Sequence, residues 1–311
     1  MVLITGANGY VAKQTIQQLV ASNVQVKALV RSEASFDKIR RLGATPIKGD
    51  VTDSATLMFA LAGVDEVIHL AAVNRNRGAS TMQAVNAQGT INLVNAAKAA
   101  GVKHIVTVVG LGADASKPYP LAQTQGIAID YLIQSGVPYT ILEASVIFGE
   151  GDEFINTLAG LARVPPVMVV PGNGKSKFQP IAVQDVATCA VRSLYNPDAL
   201  NKRLQICGSE VLTLEAIIDA ILAELKLKRL KVHMPVSLLK IAVWAMDKFL
   251  PKAPITPSLL AQIGVDNVAT ANMTEILFHV KPQILKVGID YVHSMTLLQL
   301  IKRSLGAIDH H

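Results

Sequence analysis

The sequence predicts an α/β fold, a doubly wound parallel sheet with a smaller, mainly helical C-terminal domain, and three observations carry that expectation. Short apolar, strand-like runs alternate with helical ones through Leu142. A glycine-punctuated turn joins the first strand to the first helix. Of the 311 residues, 50% are hydrophobic, 17% charged and 5% aromatic, which fits an Ala/Val/Leu/Ile-rich α/β protein and not a disordered or base-stacking chain.

Strands are expected at Val2 to Thr5, Gln25 to Val30, Thr45 to Lys48, Glu66 to Leu70, His104 to Val109 and Tyr139 to Leu142. Helices fall between them at Val11 to Ala21, Ser35 to Leu42, Ser54 to Leu61, Thr81 to Ala100 and Ala122 to Gln134, with Gly43, Gly63, Gly101 and Gly136 as stop signals. Strict alternation of this kind gives right-handed crossovers and helices on both faces of a parallel sheet. After Gly149 the rhythm breaks into Pro165-Pro166, a short strand at Val167 to Val170, and Pro171-Gly172-Asn173-Gly174. A helix at Gln184 to Leu194 and a strand at Leu204 to Cys207 then rejoin the sheet, and a mainly helical tail follows from Thr213. The expected division is therefore discontinuous: residues 1–148 with about 178–210 in one domain, about 149–177 with 211–311 in a lid.

The turn reads Ile4-Thr5-Gly6-Ala7-Asn8-Gly9-Tyr10-Val11-Ala12. Gly6 permits the tight turn, Gly9 a close backbone approach, and Ala12 the packing of helix on strand; the free N–H groups of the helix then face an anion. This is the pyrophosphate seat of a Rossmann-type fold, with Gly6, Asn8, Gly9, Tyr10 and Val11 as candidate contacts. The second strand ends in Ala28-Leu29-Val30-Arg31-Ser32, with no carboxylate to take a ribose 2′-hydroxyl. Arg31 and Ser32 suit a 2′-phosphate, so NADP is expected ahead of NAD; the alternative for Arg31 is a solvated surface charge.

Further segments add specificity: Gly49-Asp50-Val51-Thr52-Asp53, Val64-Asp65-Glu66-Val67-Ile68-His69-Leu70-Ala71-Ala72, Val85-Asn86-Ala87-Gln88-Gly89-Thr90 and Ala96 to Lys103. Tyr139 to Leu142, Ser145 to Gly149 and Gln179 to Ala187 continue the set. Together they resemble the extended and atypical short-chain dehydrogenase/reductase superfamily over nearly the whole chain, nearest to NmrA-like proteins and to the nucleotide-binding accessory subunit of respiratory complex I. The resemblance implies Asp50 and Val51 near the adenine, Leu70, Ala71 and Ala72 near ribose and phosphates, and Val108, Val109 and Gly110 near the nicotinamide. Helix capping is the competing role for Asp50, and the leading one for Asp53.

Carbonyl-reducing members of that superfamily place a serine after the fifth strand and a tyrosine four residues before a lysine. The lysine lowers the tyrosine pKa, and the tyrosine moves a proton. Aligned with that pattern through Gly101 to Val109 upstream and Ser135 to Thr140 downstream, this chain has Gly110 for the serine, Leu121 for the tyrosine and Gln125 for the lysine. Gln125 retains hydrogen-bonding capacity toward a ribose. Tyr119, between Pro118 and Pro120, is a weak substitute, and Lys117 a weaker one. Glu143 reads as a surface or structural carboxylate, His69 as a satisfied core histidine, and Asn74-Arg75-Asn76-Arg77-Gly78 as a polar loop that either steers anions or is solvated. No metal-ligand spacing is present.

The expectation is a nicotinamide-dinucleotide-binding protein with a degenerate triad, acting as a sensor or accessory/assembly factor toward an unspecified small molecule or protein. The competing reading is NADPH-dependent hydride transfer to a quinone-like acceptor, and nucleotide-sugar epimerisation ranks last because it needs the absent tyrosine. The net charge is +6, but the basic residues are spread along the chain and not gathered in one long run, so no nucleic-acid partner is expected. Cys189 and Cys207 read as reduced buried thiols, and Met1 leading directly into a strand argues against a signal peptide, so the cytoplasm is expected. Pro235 to Leu250 is unusually apolar for a lid helix; packing on its own domain is expected first, peripheral membrane contact second.

Overall fold

The computed structural model describes residues 1–164, 166–249, 260 and 263–294. Its central sheet is built from β1 (Val2–Thr5), β2 (Val26–Val30), β3 (Thr45–Lys48), β4 (Glu66–His69), β5 (His104–Gly110) and β6 (Tyr139–Ala144). Four short strands, β7 (Ile147–Phe148), β8 (Val167–Pro171), β9 (Lys177–Phe178) and β10 (Ile181–Ala182), lie outside it, and β11 (Lys202–Ile206) returns to its edge. The order is β3-β2-β1-β4-β5-β6-β11, every pairing parallel, so the doubly wound sheet expected from the sequence is present. The order reverses between β1 and β4, and ligands of such sheets sit above the strand ends at that crevice.

Period-two alternation sorts β1 between the two faces. Val2 and Ile4 join one core with α1 (Tyr10–Ala21), α2 (Phe36–Arg41) and α7 (Val183–Ser193). Leu3 joins another with α3 (Ser54–Ala60), α4 (Gly89–Ala100) and α5 (Pro120–Gln134). A third core gathers Phe148, Phe178, Met168 and Val170 with α6 (Phe154–Ala162) and α8 (Leu214–Glu224). Around this core β12 (Leu212–Thr213) pairs antiparallel with β9, and β13 (Leu230–Met234) pairs parallel with β8. It continues into α9 (Val236–Phe249), and α10 (Leu285–Gly288) follows later in the chain. Among the described residues no helix is long and apolar enough to cross a membrane.

Two local expectations are corrected. The helix expected over Thr81 to Ala100 opens as a π-helical segment, Gln83–Gln88, before α4. That widened turn presents Asn86 to the Val73 backbone, where its side chain bonds both N and O at 2.8 and 2.9 Å. The helix expected from Ala122 begins at Pro120, because proline at the first helical position gives up an N–H that would have no partner there. The mainly helical tail expected from Thr213 is present in α8 and α9, and it also contains β13, whose pairing with a strand some sixty residues earlier leaves no local signature.

Both cysteines are buried and free. Gly43, Gly63, Gly101 and Gly136 all adopt φ between 70° and 86°, the left-handed region that ends a helix. Gly126 is needed for another reason. It lies inside α5, where alanine is favoured by about 1 kcal/mol, yet a Cβ would stand 2.1 Å from the Ala115 nitrogen. The loop after β5 is seated there, with Asp114 N donating to Ala122 O at 3.0 Å. Gly126→Ala is therefore expected to lower the unfolding free energy by about 2 kcal/mol, overpacking outweighing propensity. Urea denaturation checks the sign, and a stabilised variant would contradict this seating.

Candidate functional site

The strand-to-helix turn sits directly against the end of β4. Gly6 has φ +65°, and a Cβ there would lie 2.6 Å from the Leu70 carbonyl oxygen and 2.7 Å from the Ala71 nitrogen. Gly9 N donates to Gly6 O at 2.9 Å, and Gly9 itself heads α1 with no side-chain cap. No acidic residue occupies the first turn, Tyr10, Val11 and onward, so the helix end is electropositive toward the strand ends. Asn8 donates from Nδ2 to Ser35 Oγ at 2.9 Å, while its Oδ1 is buried without a hydrogen-bond partner. An uncapped helix terminus beside an orphaned acceptor suits a ligand carrying both phosphates and hydroxyls, which a dinucleotide does.

At the end of β2, Arg31 donates to Ser80 Oγ at 3.1 Å, and Ser32 Oγ accepts from Ala34 N at 3.3 Å. Lys38 reaches the Asn8 carbonyl at 3.5 Å. The sequence reading missed Ser35 and Lys38; both lie on the segment following β2, and only the fold brings them to the glycine turn. Asp50 Oδ1 accepts from both N and Oγ1 of Thr52 at 2.9 Å, a local turn. Asp53 caps α3 by accepting from Ala55 N at 3.0 Å. Val51 is buried against Gly89, where a Cβ would come within 2.7 Å of its Cγ2.

Below the β4 terminus a small cavity of about 20 Å³, room for about one water, is lined by Ala71, Ala72, Val108, Val109, Gln125 and His69 among others. His69 is a satisfied core histidine. Its Nδ1 meets Thr5 Oγ1 at 2.7 Å and its Nε2 meets Thr90 Oγ1 at 2.9 Å. Burial pulls its pKa down to about 4, so it is neutral at physiological pH.

The β5–α5 junction holds Gly110, Leu121 and Gln125, the positions expected from the sequence to stand in for serine, tyrosine and lysine. Gln125 is buried, and its Oε1 accepts the Gly110 N–H at 3.1 Å. Leu121 is half-buried on the same helix, and Tyr119 stands just before it as the N-cap residue, with no side-chain capping bond. Lys117 is exposed. Glu143 departs from a surface role: it is 5% exposed and ion-paired with Arg203, which also donates to Ala113 O at 3.1 Å. A carboxylate at a strand end is buried here because β11 supplies the cation from a neighbouring strand.

The loop Gly149 to Glu153 roofs the turn. A Cβ at Gly151 would lie 3.2 Å from Tyr10 Cβ, Lys13 pairs with Glu150 at 3.2 Å, and Glu153 accepts from Asn74 and Arg75 at 2.5 and 3.1 Å. The polar loop after β4 is thus bonded to the segment that follows β7. Asp152 is buried: its Oδ1 accepts from Ile155 N at 2.7 Å, and its Oδ2 takes the Tyr291 hydroxyl at 2.5 Å. The Tyr291 oxygen in turn accepts the Gly149 N–H at 3.0 Å. Burial and the Asp152 carboxylate raise the pKa of both Tyr10 and Tyr291, the reverse of what a proton-shuttling tyrosine needs. Among the described residues no group of three or more His, Cys, Asp or Glu is placed to hold a metal ion.

A family model described as NAD(P)H-binding matches residues 6–197. The chain is 27% identical over 214 residues to the NAD(P)H azoreductase of Xenophilus azovorans, covering 68% of this chain and 70% of that one. It is 29% identical over 216 residues to the photosystem II assembly factor Ycf39 of Synechocystis sp., covering 67% and 62%. Its fold is similar to that of an NADPH-dependent quinone oxidoreductase from Escherichia coli solved with NADPH: TM-score 0.76, 23% identity, 94% of this chain and all of that one.

The roof generates a pH-dependent expectation. Burial lifts the Asp152 pKa from 3.8 to about 6. The folded state then holds a proton that the unfolded chain has lost, so this group's contribution to stability falls as pH rises from about 4 to about 6. The Tyr291 hydrogen bond opposes that rise and matters most when Asp152 is charged. Tyr291→Phe is expected to cost about 1 kcal/mol at pH 5 and about 2 kcal/mol at pH 8. Denaturation at the two pH values checks this; equal costs would show that Asp152 does not titrate in the interval.

Proposed function

The chain belongs to the NAD(P)H-binding family, and from that premise we propose that it grips a nicotinamide dinucleotide, NADP in preference to NAD, without the tyrosine–lysine acid–base pair, and works as a nucleotide-responsive sensor or assembly factor. In this reading Gly6, Asn8, Gly9, Tyr10 and Val11 take the pyrophosphate on the uncapped α1 terminus. Arg31 and Ser32, with Ser35 and Lys38 beside them, take the 2′-phosphate. Asp50 and Val51 border the adenine, Leu70, Ala71 and Ala72 the ribose and phosphates, and Val108, Val109 and Gln125 the nicotinamide side. The bound dinucleotide supplies hydride chemistry; the chain's own residues supply grip and orientation.

The observation that carries the reading is Gln125. Its carboxamide holds the Gly110 N–H, where a lysine would place a charge, and Leu121 four residues earlier bears no proton. Tyr10 and Tyr291 lie beside carboxylates, so neither phenol is activated. Loss of general acid–base assistance removes about 100- to 10,000-fold in rate from carbonyl reduction. The Ycf39 relative is an assembly factor, a role compatible with binding alone.

A second reading is favoured by the azoreductase relative: hydride transfer to an acceptor, such as a quinone or azo compound, that takes its further proton from water and needs no tyrosine. Epimerisation of nucleotide sugars needs the missing phenol and is not supported.

Titration calorimetry is expected to show NADPH bound more tightly than NADH. Arg31→Ala should weaken NADPH by about 10- to 100-fold, the size of a charge-assisted hydrogen bond, with NADH changed little. No affinity for either nucleotide would remove the proposal. Anaerobic NADPH oxidation with quinones and azo dyes separates the two readings: rates at the solution background support the sensor, whereas turnover that survives Tyr119→Phe supports the reductase. Turnover abolished by Tyr119→Phe would make Tyr119 the acid and overturn the degenerate-triad reading.

A further inference from the structure

Helix α9 turns apolar side chains toward solvent. Val243 is buried, and Val236 and Leu239 are half-buried, which fixes the packed side. On the other side Leu238, Ile241 and Trp244 are 57%, 68% and 59% exposed, three large side chains spaced three residues apart. Lys240 and Lys248 flank them, the latter 5.1 Å from the centroid of the Trp244 ring. Strand β13 feeds this helix with Leu230 and Val232 exposed, while the alternate residues Lys231 and His233 bond Glu215 and Asp219 on α8. Isolated exposed apolar residues are ordinary, but a run of them on one helix face marks a contact surface.

Charge identifies the occupant. Residues 226–248 carry Lys226, Lys228, Arg229, Lys231, Lys240 and Lys248 against Asp247 alone, a local +5 in a chain of net +6. Lys231 is neutralised by its α8 partners and Arg229 donates to the Ala162 carbonyl, which leaves Lys226 and Lys228 exposed ahead of β13 and Lys240 and Lys248 exposed on α9 itself. Protein interfaces deplete lysine at their centres. A mixture of tryptophan, branched aliphatics and flanking lysines instead matches the boundary between anionic headgroups and acyl chains, where lysine stems lie along the apolar side and their amines reach the phosphates.

We propose that the Leu238–Ile241–Trp244 face of α9, with its surrounding basic residues, is a docking surface for an anionic lipid bilayer. The face lies beyond residue 197, where the family match ends, and it needs no assumption about the nucleotide pocket. A helix docked this way lies in the membrane plane and does not span it.

Trp244 is the chain's one tryptophan and reports its own environment. The full chain is titrated with phosphatidylcholine vesicles with and without phosphatidylglycerol. The anionic vesicles alone are expected to shift the emission to the blue, brominated acyl chains to quench it, and salt to reverse both. The Lys228→Gln/Lys240→Gln variant should partition about 30-fold less, given the usual contribution of each lysine near an anionic surface. Ile241→Asp should abolish binding with an unchanged circular dichroism spectrum. Three results would overturn the proposal: emission indifferent to anionic vesicles, equal binding to neutral ones, or a blue shift that follows protein concentration without lipid, which would assign the face to a second copy of the chain.

Discussion

The close approach of Gly6 to the end of β4 is the constraint on which the site depends. β1 and β4 are neighbours across the reversal in strand order, with Thr5 opposite His69. The turn leaving β1 has to pass over the Leu70 carbonyl, at a distance no Cβ tolerates. Because it passes so low, α1 begins beside the β4 end of the crevice, headed by Gly9 with no side-chain cap on its first N–H groups. Thr5 secures the same junction from beneath: its hydroxyl meets His69 Nδ1 at 2.7 Å and the Ala71 N–H at 3.4 Å. From His69 the bonds run on through Thr90 to the Asn86 carbonyl and, from the Asn86 side chain, to Val73 and Thr124. The floor of the pocket is thereby tied to α4 and α5 by one buried polar chain.

Floor and roof respond to acid in opposite senses. His69 has its folded pKa near 4, below the 6.5 of a free imidazole, so the unfolded chain takes up the proton first. Its contribution is complete above about 6.5 and is lost as pH falls toward 4. Asp152 has its folded pKa raised to about 6, and its contribution moves the other way across nearly the same interval. A pH profile of the whole chain would sum two opposed terms there, so a flat profile carries no information about either group. Only variants at one of the two sites separate them.

Much of the fold was legible because it is written in short-range pattern. Alternation in β1 to β6, helical periodicity, and glycines stopping helices in the left-handed region all act within a few residues. The glycine turn was legible for the same reason. The site's polar partnerships were not: Glu143 with Arg203, Gln125 with the Gly110 N–H, Asn8 with Ser35, and Asp152 with Tyr291, 139 residues apart. Each joins groups whose proximity comes only from the tertiary fold, and a lone glutamate or glutamine in a sequence does not reveal which neighbour satisfies it. The chemistry of Gln125 was nonetheless readable as an absence of charge, because a superfamily resemblance says what the position ordinarily holds.

The roof is unevenly fastened. Lys13 and Glu150 are 40% and 76% exposed, so their attraction is screened and contributes little. Glu153 is held better, by Arg75 and Asn74 from the loop after β4, with Arg75 only 20% exposed. The Asp152–Tyr291 clasp is the least yielding, since opening it would strip a buried carboxylate of a hydroxyl and free the Gly149 N–H from the same oxygen. Three carboxylates therefore overhang a terminus that attracts anions, and each is countered by a cation or a hydroxyl from a different part of the chain. The weakest fastening faces α1 and the strongest faces the C-terminal segment.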